Sequence, residues 1–207
     1  MTILLTLLLA GPLQDPPADP AKEFTALCAE YDKAYDEFMR PSREAKTDEE
    51  RRKIFIDYNN QPARAFTTRF LAFAEKNKTN ESGARGYLKA MELAPMVRMT
   101  DEAAAACAAL LENHLASPLM EDLAARLCSL MYLYADKKLV PFDKACAGLR
   151  AIIEKTTHAG AKSSALLSLA LNLMMGAGDA TAPLDEARTL LATLRKDHPD
   201  SSYAKSA

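Results

Sequence analysis

Little in this chain of 207 residues announces chemistry. Glycine is scarce, at seven residues, and no Gly-rich loop of the kind that cradles phosphate is present, so the nucleotide-binding signatures are missing. Histidine is scarcer, at three residues, none of them in metal-ligand spacing with the four cysteines; a zinc-type site therefore has no sequence support. There is no CxxC, no CxxCH and no nucleophile elbow, which leaves dithiol redox, haem attachment and Ser-based acyl transfer without their usual marks. With a formal charge of −2 there is no basic excess, and nucleic acid is not an expected partner. Strand-like alternation is absent as well, so no sheet competes with helix in this reading.

What is present is a repeat. Asp101-x-Ala103, Asp143-x-Ala145 and Asp185-x-Ala187 recur at an interval of 42 residues. Cys107 and Leu110 in the first copy are matched by Leu149 and Ile152 in the second, then by Leu191 and Leu194 in the third. A period in the forties with helical spacing predicts stacked helix pairs, in which no pair can bury its apolar face alone.

Composition divides the chain. Ten of its fourteen aromatic residues lie before residue 88, whereas the later part is rich in Leu, Ala and Met. Residues 1 to 39 carry two Lys/Arg against seven Asp/Glu, and residues 40 to 90 carry twelve against seven, so an acidic first helix is expected to lie beside basic neighbours or to present a solvated face. The divisions are residues 1–19, an apolar leader and Pro-rich spacer; 20–99, an aromatic-rich helical section; and 100–207, the repeats. The two helical sections are expected to share one core.

Thr2 to Ala10 is almost wholly apolar and is closed by Gly11-Pro12. It is too short to span a bilayer as a helix but suits the apolar region of a secretory signal. Export to the periplasm or another extracytoplasmic compartment is therefore expected, with membrane association only if the leader stays uncleaved. Cys28, Cys107, Cys128 and Cys146 all fall in helical patterns. They read as small buried hydrophobes, although an oxidising compartment would leave three complete disulfide pairings open.

Start and stop signals divide the chain into about nine helices. Asp19-Pro20 opens the first, whose Phe24, Cys28, Tyr31, Tyr35 and Phe38 step by four and three, the seam of a helix packed lengthwise on another; Pro41 should end or kink it. Thr47 with Glu50 forms a capping box, Phe66, Phe70 and Phe73 share a face of the next helix, and Asn80 or Ser82 caps the fourth. Thr100 is the expected N-cap of the repeat section, Ser117-Pro118 opens its partner helix, Pro141 opens the next pair, whose second helix spans about Gly160 to Met175, and Thr181-Ala-Pro183 opens the last helix.

Two resemblances enter on these residues. Ala187, Leu191, Leu194 and Pro199 have the spacing of the second helix of a tetratricopeptide repeat, and His198-Pro-Asp-Ser-Ser-Tyr-Ala204 is similar to the turn joining such repeats. The fold this implies is all-α, a right-handed stack of antiparallel helix pairs in a tetratricopeptide-like α-solenoid. The order of leader, Pro-rich spacer, Tyr-rich acidic helix, Arg43-Glu-Ala-Lys-Thr-Asp-Glu-Glu-Arg51 and Arg69-Phe-Leu-Ala-Phe-Ala-Glu-Lys-Asn77 resembles the helical N-terminal region of exported thioredoxin-like proteins of the planctomycete kind. That resemblance implies a thioredoxin-like protein as a partner. It brings no oxidoreductase activity, because the CxxC is absent.

The candidate binding line is polar. Ser164, Ser168 and Asn172 follow one another at four-residue steps on an otherwise apolar helix, and Asp122 and Arg126 stand 42 residues before Ser164 and Ser168. Crossing neighbouring helices, they could floor a groove for an extended peptide, or they could be ordinary solvent-facing positions. Asp48-Glu49-Glu50, Asp101-Glu102, Glu121-Asp122 and Asp185-Glu186 are expected in first turns, where the helix dipole accounts for them without general acid or base work. His114, His158 and His198 are expected near helix ends as partly charged complements to the C-terminal dipole, and Met174-Met175 as core filling. The function expected is a non-enzymatic protein or peptide scaffold without cofactor. The alternative is an accessory partner of a thioredoxin-like redox protein, or a thiol-based redox sensor.

Overall fold

The computed structural model describes residues 19–55, 57, 59–129, 142–176 and 180–207; the leader and Pro141 lie outside them. Among the described residues the protein is all-α, with ten α-helices and one 3-10 turn and no strand. The helices are α1 (Pro20–Glu44), α2 (Asp48–Phe55), α3 (Pro62–Lys76), α4 (Glu81–Leu93), α5 (Thr100–Asn113), α6 (Met120–Ser129), α7 (Phe142–Lys155), α8 (Ala159–Gly176), α9 (Thr181–Asp197) and α10 (Ser202–Ser206).

Most starts follow from the expected caps. Asp19 Oδ1 accepts from the Ala21 amide at 3.0 Å, Asn80 Oδ1 accepts from Gly83 at 3.1 Å, and Thr47 and Glu50 close the capping box in both directions at 3.2 Å. Three expectations need correction. Pro41 lies inside α1, which runs on to Glu44; so near the C-terminus a missing amide costs only one bond of the last turns. Thr100 is the first helical residue rather than the cap, and Met99 precedes it with no side-chain bond. The tenth helix, α10, was hidden behind the Pro199 turn. Ser201 Oγ caps it by accepting from Ala204 at 3.0 Å.

In the aromatic section α1 lies on α3 and α4. Phe24 meets Phe70 and Phe73 with centroids 5.9 and 5.8 Å apart, and Tyr31 meets Phe66 edge-on at 5.4 Å. Two glycines let α3 and α4 close on each other. A Cβ on Gly83 would strike the Asn77 carbonyl, and one on Gly86 would lie 2.9 Å from Phe73. The acidic first helix does pair with a basic neighbour: Arg69 on Glu30 at 2.5 Å and Lys76 on Glu23 at 3.0 Å. Both pairs are exposed and contribute little stability.

One core joins the sections, running from Leu27 through Phe70, Met91 and Leu110 to Leu149 and Ala187. The 3-10 turn Ala94–Val97 makes the join and ends on Arg98, whose φ of 59° is left-handed. In the repeats, α8 is central and packs against α6, α7, α9 and α10. The 42-residue offset recurs in space: a ring nitrogen of His158 meets the Ala116 carbonyl at 2.8 Å, the linker before α8 on the linker before α6. The first pair is looser than the second. Within the described residues α5 leans chiefly on α4, and α6 chiefly on α8; Leu111 of α5 and Leu127 of α6 meet over Gly148 of α7, where a Cβ would lie 2.8 Å from Leu111.

Candidate functional site

The polar line foreseen from the sequence is not the floor of a groove. Ser164, Ser168 and Asn172 are 1%, 5% and 0% exposed, so they lie inside the stack. Neighbouring helices do come together there, but through the backbone: the Ser164 hydroxyl donates to the Glu121 carbonyl at 3.1 Å. Asp122 remains exposed. Arg126 turns to the aromatic section and pairs with Glu92 of α4 at 3.3 Å. The reason is the position of α8: a helix apolar nearly all round is a buried one, and its few polar residues are buried with it. Asn172 interacts with the Cys146 thiol, and its amide atoms have no full hydrogen bond among the described residues.

Around the start of α8 a small polar cluster assembles that the sequence reading did not assign. The Glu121 carboxylate rests on the first turn of α8 at Gly160, where a Cβ would collide with it. A carboxylate there complements the exposed amides and positive end of the helix. The Tyr203 hydroxyl of α10 donates to Glu121 Oε1 at 2.9 Å. Burial raises the Tyr203 pKa and Glu121 adds to the rise, while Ser164 opposes it. Arg195 of α9 meets the Ala207 backbone carbonyl beside it. The cluster thus latches α10 onto α8 and α6, a structural role.

The other candidate carboxylates are likewise engaged in structure. α9 opens at Thr181 as expected, but its first turn holds no acidic residue, so Asp185-Glu186 lies beyond it; Asp185 pairs with Arg188 at 2.8 Å and Glu186 with Arg150 of α7 at 2.7 Å. Of the histidines, His114 and His198 stand at helix C-termini as expected, capping α5 and α9. His158 precedes α8 and so sits at the wrong end of a helix to complement a C-terminal dipole. His114 does follow α5 but is buried, and burial lowers its pKa against the opposing bond to the Lys78 backbone. It is therefore a neutral core imidazole, packed near Tyr87.

Burial raises all four cysteine thiols, Cys107 to about 12, the opposite of an activated thiolate. Asn77 and Asn80 serve locally, Asn77 Nδ2 donating to Phe73 O at 2.9 Å and Asn80 capping α4. A shallow cleft of about 290 Å³ between α1 and α4 is lined by Phe24, Glu81 and Arg85 among others; its charged pair is satisfied within α4 at 2.6 Å.

The surface feature that stands out is apolar. Leu171, Met174 and Met175 are 37%, 49% and 44% exposed at the C-terminal end of α8, so the methionines are not core filling. On α9, Leu191 is half-buried, although its counterpart Leu149 is 0% exposed. No helix among the described residues is long and apolar enough to cross a membrane. No protein-family model, curated protein or solved structure matches this chain.

Proposed function

We propose that the protein is a non-catalytic, tetratricopeptide-like scaffold that binds another protein, and that it works outside the cytoplasm. The single observation that carries the binding reading is exposed apolar surface: three large apolar side chains on α8 stand between 37% and 49% exposed. Contiguous exposed apolar surface on a folded protein marks an interaction site. The apolar leader Thr2 to Ala10 supports export, and a thioredoxin-like protein is the partner suggested by resemblance. The raised thiols give no support to the sensor version of the alternative, since a reactive cysteine needs a lowered pKa and access.

The test is recovery of the tagged protein from a native envelope fraction, followed by reconstitution of whatever is retained. The scaffold reading expects one protein held at near-equal molar ratio and a stable complex from the two purified components. Retention of nothing at such a ratio would sink it.

A further inference from the structure

His114 ends α5 at the place where the repeat section rests on the aromatic section. It is buried, and its ring centroid lies 6.3 Å from that of Tyr87 on α4. One ring nitrogen bonds to the backbone of Lys78, in the loop between α3 and α4. That bond favours the protonated ring, so the nitrogen donates and the carbonyl accepts. The other nitrogen, Nε2, is buried without a hydrogen-bond partner among the described residues, which makes Nδ1 the donor and Nε2 the bare nitrogen of the neutral ring. The backbone of His114 also holds the turn into α6: its carbonyl accepts from Ser117 at 2.8 Å and its amide donates to Leu110 at 2.9 Å. The loop opposite is fixed in its turn, since a Cβ on Gly83 of α4 would strike the Asn77 carbonyl.

A proton arriving at Nε2 makes a buried, charged N–H with nothing to receive it, which is a costly state. The surrounding groups do not relieve it. Tyr87 of α4 already donates its hydroxyl to Glu75 of α3 at 2.7 Å, Glu112 of α5 acts on that same phenol, and Lys78 is exposed. The turn 115–119 holds no titratable residue. Burial and the Lys78 bond are the causes that act on the ring, with no charged side chain among them. We infer that His114 is an acid-sensitive joint: a proton taken up at Nε2 drives the ring out of the core and opens the α3–α4 loop and the α5–α6 turn, while the rest of the stack stays folded. The opening is local because the bonds it breaks are those of two surface turns, whereas the core of α8 lies in another part of the stack. The inference goes beyond the scaffold reading and does not depend on it.

The test is amide hydrogen exchange of the full chain at pH 7.5 and 5.0, each rate divided by the intrinsic rate at that pH. The opened joint carries an ordinary imidazole, with a pKa near 6.5, and the closed joint one held lower. Opening is therefore favoured as pH falls through 6.5, and proton uptake bounds the gain over this interval at about thirtyfold. Protection in segments 77–82 and 111–119 should fall by about threefold or more within that bound, and both should still exchange faster than 161–173 of α8 at pH 5.0. His114→Gln should abolish the fall, and Glu75→Gln should keep it. A fall that survives in His114→Gln, no fall in the native chain, or one common rate for all three segments at pH 5.0 overturns the inference. An NMR titration of the His114 ring in the native chain decides the matter if His114→Gln does not fold: a midpoint below 6.5 is expected, and one at or above it overturns the inference.

Discussion

The aromatic section and the repeat section solve the same burial problem in opposite ways. In the first, α1 closes over α3 and α4, and rings interdigitate at 5.4 to 5.9 Å, so the section seals itself except where α5 continues it. In the second, each helix pair leaves its apolar face to the next, and Leu171, Met174 and Met175 of α8 stand exposed. A bundle spends its apolar surface internally. A stack shares its apolar surface between neighbouring helices, and what they leave uncovered stays exposed.

The largest expected effect breaks the sealed section. Phe70 is fully buried and meets both Phe24 and Phe66; Phe70→Ala should cost about 3–5 kcal/mol, read as a lowered denaturation midpoint. Next comes a contrast inside the repeat. Leu149 and Leu191 share one repeat position but differ in burial, so Leu149→Ala should cost about 2–5 kcal/mol and Leu191→Ala about 1. Equal costs would show that the third pair is as closed as the second.

A pH scan sharpens the join between the sections. His114 has a pKa held below 6.5 in the folded chain. Below that value the unfolded chain binds more protons, so stability falls as pH drops from about 6.5 toward the folded pKa, and is fully present above it. His114→Gln should flatten the fall in melting temperature between pH 7.5 and 5. The smallest effect concerns the latch. Tyr203→Phe removes the bond to Glu121 at about 1 kcal/mol, seen as faster amide exchange in α10 with little change in the rest of the chain.

Helix positions were legible because their signals are local. Asp19-Pro20, the Thr47/Glu50 box and Asn80 each act within four residues, and all three cap as expected. The failures at the candidate site were non-local. Ser164, Ser168 and Asn172 look like a solvent stripe on one helix, but only the placement of α6, α7, α9 and α10 around α8 decides that they are buried. The signal that could have corrected this was in view: α8 is apolar on nearly every side. Met174 and Met175 failed in the opposite direction, since nothing in their own helix shows how far the next one extends.

The sequence by itself determined the all-α class, most helix ends and the 42-residue register, which reappears as the stacking of His158 on Ala116. Those are consequences of hydrogen bonds and apolar periodicity within a few turns of chain. Only the tertiary structure decided which face of α8 is covered and which is open. Burial is a property of neighbours brought from 40 to 80 residues away, as Ser164 on Glu121 and Tyr203 on Glu121 show, and no pattern within a single helix encodes where its neighbours stop.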